Sequence, residues 1–345
     1  MAEYKFSVII PAYNCADTIK NAVDSVLNQS CDNIEMIIVN DGSTDSTADV
    51  LNEISMSDGR VKVFYQKNSG PAEARNFGIK NSSGDYVLFL DSDDKFTEGA
   101  FAKINGYLND NETQMLIFGF SQIFTDSGKR KNYCFDSMYA ENLSDIGDRF
   151  GALYRSDVLN QVWNKAFLRK MLIENNITFP DLKYGEDRIF CARCLKHARG
   201  IKITDEILYD YIIDSSLSLI SGWYDKKFYA CNEIYREFST LSDMCGIQND
   251  KRDIKYMYMK SVLSCLTVLY SKKCKLSKSE KRKENEKIIS SDEISRVLDI
   301  KSDNPKDEII RRILTSKNSA LSAMLAKTVV FVQENMTSLF LKLKS

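Results

Sequence analysis

The first hundred residues alternate short apolar, often β-branched runs with segments of helical periodicity. The apolar runs predict strands at 6–10, 35–40, 61–66, 86–90 and 115–120, and the segments between them predict helices at 17–27 and 71–80. Continuous apolar strands separated by helices are typical of a parallel sheet covered on both faces. We therefore predict an α/β doubly wound fold, in which ligands bind at the carboxyl ends of the strands.

A polar cluster follows each of the first four predicted strands, at 11–14, 41–45, 68–71 and 91–94. In the last cluster, Asp91 and Asp93 leave the strand on the same side, because side chains of an extended chain alternate. Two such carboxylates repel by roughly 2–3 kcal/mol at an effective dielectric constant near 20. A solvated acidic turn would tolerate that repulsion. A divalent cation shared with an anionic ligand would remove it.

Two other clusters contain residues suited to a nucleotide. Asp41 is expected to point into the cleft, where its carboxylate could accept a hydrogen bond from a pyrimidine imide or a ribose hydroxyl. Pro71 opens a helix, and Arg75 follows in its first turns, beside the positive end of the helix. A guanidinium there matches a diphosphate. The alternative is a surface arginine paired with an acid such as Glu73.

Composition restricts the class of protein. The chain has 345 residues, 43% of them hydrophobic and 28% charged, as expected for a folded protein. Its formal net charge of −1 gives no global field for nucleic acid, so we expect no nucleic-acid partner. Nine cysteines, an odd number without an apolar leader before them, indicate reduced thiols in a cytosolic protein. No apolar stretch is long enough to span a bilayer.

The only Cys-x-x-Cys pair, Cys191 and Cys194, has a single histidine in the chain, His197, to complete a zinc site. We interpret these cysteines as buried thiols on a helix. His197 is interpreted as a structural or exposed residue.

The character of the sequence changes near residue 224. We predict an α/β domain over 1–223 and a mainly helical region over 224–345. In the second region, 272–287 is a charged segment typical of a solvated helix face or linker. The amphipathic segment 319–344 is expected to pack on the domain or a second subunit, or to lie on an anionic membrane surface.

Six motifs appear in a characteristic order: SVIIPAYN (7–14), EMIIVNDGSTD (35–45), QKNSGPAEARNFGIKNSSGDY (66–86), VLFLDSDD (87–94), VWNK (162–165) and YGEDRIF (184–190). Together they resemble the family-2 inverting glycosyltransferases of the GT-A fold, a bacterial group that builds capsular, lipopolysaccharide and teichoic-acid glycans. The resemblance covers roughly residues 5–215. It implies a Rossmann-like, mostly parallel sheet with a nucleotide-sugar half at about 1–95 and an acceptor half at about 96–223.

The resemblance also implies roles for individual residues. The base and ribose of a UDP-sugar would lie among Pro11, Tyr13, Asp41 and Asn68. Arg75 would approach the diphosphate. The remaining implied residues surround the metal and the reacting groups: Asp93 and Asp91 for Mn²⁺ or Mg²⁺, with Asp91 also near the ribose and Asp94 assisting; Glu186 and Asp187 as the acidic pair with Asp187 as general base; and Trp163, Asn164 and Lys165 near the acceptor or the sugar.

The chain departs from the family pattern in two places. Asn40 stands where relatives often have a further aspartate. The segment 211–216 lacks the arginine that relatives place there, so no second cationic diphosphate contact is expected from that loop.

Other ligand-binding classes fit less well. A nucleotidyltransferase would carry a Gly-rich loop where this chain has residues 11–14, and an EF-hand calcium loop would need glycine where Phe96 stands. A non-catalytic nucleotide-sugar or glycan-binding module, or a scaffold, remains the alternative. Because Glu186 and Asp187 are both retained, we expect an enzyme. It would transfer a hexose or N-acetylhexosamine from a UDP-sugar to a glycan or lipid-linked glycan, with the C-terminal helices mediating self-association or membrane contact.

Overall fold

The computed structural model describes residues 3–213, 222–247 and 251–335. Contacts between residues divide the chain into two compact units. The first comprises Met1–Ser218 and Thr240–Gln248, and the second comprises Leu219–Ser239 and Asn249–Ser345. The boundary differs from a single division at residue 223 because Thr240–Gln248 belongs to the first unit.

A ten-stranded mixed sheet forms the centre of the first unit. Its strands are β1 (Phe6–Ala12), β2 (Ile34–Asp41), β3 (Val61–Gln66), β4 (Tyr86–Phe89), β5 (Lys95–Phe96), β6 (Met115–Phe124), β7 (Arg130–Tyr133), β8 (Met138–Ala140), β9 (Lys165–Leu168) and β10 (Ile201–Ile213). The main order is β3-β2-β1-β4-β9-β6-β10-β5, with β7 on β6 and β8 on β10.

Helices connect these strands: α1 (Ile19–Leu27), α2 (Thr47–Ser57), α3 (Pro71–Asn81), α4 (Ala100–Asn109), α5 (Arg149–Arg155), α6 (Arg169–Glu174) and α7 (Glu186–His197), with a 3₁₀ turn at Leu143–Ile146. The predicted α/β fold is confirmed, and the predicted strands lie within a few residues of β1, β2, β3, β4 and β6. Val8, Ile9 and Ile10 are fully buried, as expected for a central strand covered on both faces.

Strands β1 to β4 are mutually parallel, and β10 is parallel to β6. Strand β9 lies between β4 and β6 and is antiparallel to both. Its four residues begin with Lys165, so they carry no long apolar pattern from which the strand could be predicted.

The register of the parallel strands aligns their carboxyl ends. Asp41 lies opposite Gln66, and Ala12 lies opposite Asn40. Helix α3 packs closely against β1, since a Cβ on Gly78 would lie 2.3 Å from Ile9 Cγ2. The polar segments after β1 to β4 therefore share one edge of the sheet, and the N-terminus of α3 is held there.

The second unit is helical. Helix α8 (Lys227–Met244) starts in it and is followed by α9 (Arg252–Tyr270), α10 (Lys278–Ile289), α11 (Asp292–Val297), α12 (Pro305–Thr315) and α13 (Ser319–Asn335). A capping box between Ser277 and Glu280 starts α10, within the charged segment 272–287.

Helix α13 occupies the first part of the amphipathic segment 319–344. Asn285 anchors it, accepting a hydrogen bond from Ser322 Oγ at 3.0 Å. Leu339, Phe340, Lys342 and Lys344 lie outside the described residues. None of the described helices is long and apolar enough to cross a bilayer.

Candidate functional site

Three aspartates follow β4, and they occupy different environments. Asp93 is exposed and Asp91 is partly exposed, whereas Asp94 is fully buried. Asp94 Oδ2 accepts a hydrogen bond from the Tyr209 hydroxyl at 2.8 Å, and Asp94 Oδ1 accepts one from the backbone N–H of Ile212 at 2.7 Å. Asp94 therefore fixes the turn that presents Asp91 and Asp93.

Burial and like charge shift the pKa values of this turn. Burial, followed by the charges of Asp91 and Asp93, raises the pKa of Asp94 to about 9. Desolvation and the charge of Asp91 also raise the pKa of Asp93. The turn therefore holds more carboxyl groups than its local positive charge can compensate.

Arg75 lies at the centre of the site. Its Nη2 donates to Asp91 Oδ1 at 2.9 Å, and its Nη1 donates to Asp187 Oδ1 at 2.8 Å. The side chain is buried rather than on the surface with Glu73, and its guanidinium carbon lies 5.5 Å from the centre of the Phe179 ring. One cation thus joins the turn after β4 to the start of α7.

Helix α3 also positions the segment that precedes α7. Asn76 Nδ2 donates to the Phe179 carbonyl at 3.0 Å, and Phe179 N donates to Asn76 Oδ1 at 2.8 Å. The Phe179 ring stacks on Phe190 of α7, with centroids 3.9 Å apart. Gly185, at a positive φ of 75°, then starts α7 and places Asp187 in its first turn.

Asp187 and Glu186 are both partly buried beside Arg75. Burial raises the pKa of Asp187 to about 7, against the opposing effect of the Arg75 charge. Burial also raises the pKa of Glu186. A carboxylate that titrates near neutral pH is suited to accept a proton during a reaction.

The segments after β1, β2 and β3 lie at the same carboxyl edge of the sheet, next to the turn after β4. Asp41 is buried, and its carboxylate accepts hydrogen bonds from Gln66 Nε2 at 2.7 Å and from the backbone N–H groups of Ser69 and Gly70, both at 2.8 Å. It therefore holds the loop that presents Asn68, which is exposed.

Glycine is required at position 42, where φ is 70° and a Cβ would lie 2.7 Å from Asn68 N. Tyr13 is 49% exposed and Pro11 is half-buried. The accessible surface here consists of Tyr13, Pro11 and Asn68, with Asp41 supporting it from below.

Residues 163–165 are buried beneath the site. Lys165 is fully buried, and its ammonium donates at 2.6 Å to both Val158 O and Asn164 Oδ1, and also to Gln161 O. Asn164 is also fully buried. These contacts use all three ammonium protons of Lys165. Asn164 and Lys165 can therefore influence an acceptor only through the backbone that they position.

Trp163 is nearly buried and stacks on two tyrosines of β10. Its ring centroid lies 4.7 Å from Tyr209 and 5.4 Å from Tyr211. Tyr209 and Tyr211 stand on the same face of the strand, so Trp163 links them into one aromatic floor beside the acidic turn. Sequence reasoning missed Tyr209, Asn76 and Phe179. The apolar-polar alternation of β10 was the available signal for Tyr209.

The thiols of α7 do not form a metal site with His197. Cys191 and Cys194 are free and buried, as predicted, and His197 is exposed at the end of the helix. Within the described ranges, no three His, Cys, Asp or Glu side chains are placed to hold a metal ion together.

A divalent ion can still fit the turn after β4 in one specific way. Asp94 is occupied by Tyr209 and Ile212, which leaves Asp91 and Asp93 as ligands. Mg²⁺ commonly binds through one or two carboxylates together with the phosphates of a substrate. The raised pKa of Asp93 is consistent with a carboxylate that lacks a cation. The residues therefore fit Mg²⁺ or Mn²⁺ if a nucleotide diphosphate supplies the other ligands.

Residues 7–174 match the family Glycosyl transferase family 2. A glycosyltransferase of Bacillus subtilis (strain 168) named EpsH is 34% identical over 228 residues, which are 65% of this chain and 64% of EpsH. A glycosyltransferase of Haemophilus influenzae is 31% identical over 59% of this chain and 75% of its own length. The poly(ribitol-phosphate) beta-glucosyltransferase of Bacillus spizizenii is 30% identical over 73% of this chain and 39% of its own length.

Among solved structures, the chain is similar to S. aureus TarS residues 1–349 in complex with UDP-GlcNAc. The TM-score is 0.65 at 19% identity, covering 96% of this chain and 91% of that one. The chain spans 64% of EpsH and smaller shares of some other curated relatives. From its motifs, its sheet and these similarities, the chain belongs to glycosyl transferase family 2 and has the GT-A fold.

Proposed function

We propose that this chain is an inverting, metal-dependent glycosyltransferase that moves a hexose or N-acetylhexosamine from a UDP-sugar to a hydroxyl of a cell-surface glycan precursor. The observation that carries the proposal is the Arg75 bridge between Asp91 and Asp187. It brings a carboxylate suited to hold a metal ion beside the donor diphosphate and a carboxylate suited to proton transfer into one cluster, as displacement at an anomeric carbon requires.

The donor would lie along the edge formed by the segments after β1 to β4. Tyr13 offers an exposed aromatic ring to the uracil, and Pro11 and Asn68 flank it. Asp41 would act mainly through the Asn68 loop that it holds, with any direct contact to the base using a lone pair left by its three hydrogen bonds. Arg75 would neutralise charge beside the diphosphate.

Asp187 is the proposed general base. It would take the proton of the acceptor hydroxyl as that oxygen attacks the anomeric carbon and the bond to the diphosphate breaks. Attack from the face opposite the leaving group inverts the anomeric configuration, so an α-linked donor gives a β-linked product. Glu186 raises the local negative charge, which favours a protonated state of the pair once the proton has been accepted.

Asp91 and Asp93 are the proposed ligands of Mn²⁺ or Mg²⁺. When bound, the ion supplies positive charge for the departing diphosphate. The chain's own contribution is to hold the two carboxylates on a turn fixed by Asp94 and Tyr209. Tyr211 would form the floor under the transferred sugar or the acceptor, with the buried Trp163 stacked behind it.

The names of two similar proteins favour one class of acceptor and one class of donor. One relative is named for glucosyl transfer to poly(ribitol phosphate), and the TarS structure contains UDP-GlcNAc. We therefore place the donor among UDP-sugars and the acceptor among cell-wall or capsular polymers or their lipid-linked precursors. A cytoplasmic location follows from the use of a nucleotide-sugar and reduced thiols. Self-association through the C-terminal helices stays a prediction.

A donor panel tests the proposal without knowledge of the acceptor. UDP-glucose, UDP-galactose, their N-acetyl forms and UDP-glucuronic acid are incubated with the protein and Mn²⁺, and the release of UDP is measured. We expect slow Mn²⁺-dependent hydrolysis of at least one donor, and none with the D187N variant. Donor binding without hydrolysis by wild type, even with glycan acceptors added, would favour a non-catalytic binding module.

A further inference from the structure

A cavity lies in the first unit, at the opposite end of β4 from the acidic turn. Its volume is about 780 Å³, and its lining includes Leu168 and His197. Leu168 pairs with Tyr86 at the start of β4, whereas Asp91 follows the end of that strand. His197 ends α7, the helix whose first turn carries Asp187. The cavity is therefore separate from the proposed catalytic site.

The lining has an excess of positive charge. It contains Lys170, Lys196 and Arg199, against one carboxylate, Glu174, and His197 also lies in the lining. Lys170 Nζ lies 3.8 Å from Glu174 Oε1, but both side chains are largely exposed, so the pair is weak. Throughout the described part of the chain, no carboxylate forms an ion pair with Lys196 or Arg199. The chain as a whole is slightly acidic, so this charge is a local feature.

Arg199 is displayed by a rigid turn. Its backbone N–H donates to Gln114 Oε1 at 3.0 Å, and the next N–H, that of Gly200, donates to the Glu141 carbonyl at 2.7 Å. Gly200 has φ of 66°, and a Cβ there would lie only 2.0 Å from the Glu112 carbonyl oxygen. The position of the Arg199 backbone is therefore set before any ligand arrives, which lowers the entropy lost on binding.

The same cavity has an apolar part, formed by Leu143, Leu168, Met171 and Met244. Met244 is 40% exposed. Leu143 and Met171 are buried, so Leu168 and Met244 supply the accessible apolar surface. A soluble polyanion would use the basic side chains and leave Leu168 and Met244 in water. A ligand with an anionic head and an apolar body would use both sets.

We propose that this cavity binds the phosphate headgroup and upper acyl chain of an anionic phospholipid, and so docks the first unit on an anionic lipid surface. Lys196 and Arg199 would contact the phosphate, with Lys170 and His197 around it. Leu168 and Met244 would contact the acyl chain. The proposal goes beyond the function proposed above, since it concerns another face of the unit.

Vesicle sedimentation with the full chain tests the proposal. Wild type is mixed with phosphatidylcholine vesicles containing 30 mol% phosphatidylglycerol, or with pure phosphatidylcholine vesicles, at low salt. We expect binding only to the anionic vesicles. A basic residue near such a surface strengthens partitioning about fivefold, so the K196E/R199E variant should bind at least about 25-fold more weakly. The matched control K129E/K131E, at exposed positions in and beside β7 of the same unit, should bind as wild type does.

A second variant tests the apolar contribution. Met244→Ser changes no charge, and the fold should be preserved because Met244 is 40% exposed. The variant should weaken vesicle binding several-fold. Thermal melting of each variant verifies the fold. The proposal is overturned if wild type ignores anionic vesicles, or if K196E/R199E or Met244→Ser binds them as wild type does.

Soluble anions distinguish a lipid from a polymer. In calorimetry, inorganic polyphosphate should bind weakly compared with anionic vesicles. Tight polyphosphate binding that K196E/R199E removes, together with no vesicle binding, would assign the cavity to a phosphate polymer and overturn the lipid proposal. No donor is present in these experiments, so their failure would leave the proposed glycosyl transfer unaffected.

Discussion

Arg75 Nη1 lies 2.8 Å from Asp187 Oδ1, although 112 residues separate the two in the chain. The same guanidinium contacts Asp91, so helix α3 connects the turn proposed for the diphosphate with the proposed base. A resemblance to family members suggests a diphosphate contact for Arg75. In the structure, Arg75 also donates a hydrogen bond that orients the Asp187 carboxylate.

The first prediction concerns the base. Asp187→Asn keeps the shape of the side chain but cannot accept a proton, so we expect turnover to fall by about 10²–10⁴-fold. Donor affinity should change little, because the proposed role of Asp187 is to act on the acceptor hydroxyl. Steady-state kinetics and donor binding check both parts. Asp110→Asn, at an exposed position after α4, should behave as wild type. Wild-type turnover by Asp187→Asn would remove this residue from the mechanism.

The second prediction concerns the pH dependence of turnover. The Arg75 charge opposes the effect of burial on Asp187, whose pKa is about 7. In Arg75→Gln that opposition is lost, so the pKa of Asp187 should rise further. Because the base works only when deprotonated, the acidic limb of the rate profile should move to higher pH. Measurement of kcat/KM across pH checks the shift.

The exposed Arg296→Gln serves as the control for this experiment, and its profile should match that of wild type. Arg75→Gln should also lower stability by about 1–3 kcal/mol, since it leaves two partly buried carboxylates without their cation. An unchanged acidic limb in a folded Arg75→Gln protein would refute the role given to Arg75.

The third prediction concerns the support of the turn after β4. Burial and the charges of Asp91 and Asp93 raise the pKa of Asp94 and so favour its neutral form; Asp94→Asn is neutral and keeps an oxygen acceptor, so it should preserve the fold. Asp94→Ala leaves the Tyr209 hydroxyl and Ile212 N–H without their acceptor and should lower the free energy of unfolding by about 1–3 kcal/mol. Urea unfolding compares the two variants. Equal stability of Asn and Ala at this position would contradict the assignment.

The fourth prediction concerns a buried carboxylate far from the site. Glu35 Oε1 accepts hydrogen bonds from Ser7 Oγ and Ser83 N, both at 2.6 Å, and its Oε2 lies 2.8 Å from Lys62 Nζ. Burial alone would raise the pKa of Glu35, but these bonds outweigh it and lower the pKa to about 2. Glu35→Gln should therefore cost roughly 2 kcal/mol of stability at neutral pH.

The stabilising effect of Glu35 has a defined pH window. Its folded pKa is below its ordinary value of 4.5, so the effect is complete above that pH and is lost as pH falls through about 2. Denaturant unfolding at several pH values should show wild type and Glu35→Gln converging in acid. The exposed Glu53→Gln should match wild type at every pH. A constant difference down to pH 2 would rule out the ionised bonds as its source.

The sequence predicts the nucleotide half of the fold better than the second half. Strands β1 to β4 lie in apolar, often β-branched runs separated by helices, and each is followed by a polar turn. Strand β9 could not be predicted from the sequence. It has only four residues, begins with a lysine, and is extended because it pairs with β4 on one side and β6 on the other. Local patterns therefore fail where an antiparallel strand is inserted between distant strands.

In the candidate site, the residues themselves could be predicted from the sequence, but their contacts with one another could not. The acidic residues after β4 and at the start of α7 are visible as motifs. Their connections are not visible, since Asp94 bonds to Tyr209 115 residues away and Asn76 bonds to Phe179 103 residues away. Burial of Asp94 and Lys165 likewise depends on elements that pack over them in three dimensions.

The most direct test of the central claim is calorimetric titration of UDP into the full chain in the presence of Mn²⁺. Asp91 and Asp93 need the phosphates to complete a metal site, so Mn²⁺ alone should bind weakly, and Mn²⁺ with UDP should bind with measurable heat. Asp93→Asn should abolish that heat. If no uridine diphosphate compound gives a heat of association with manganese present, the proposed donor site is wrong.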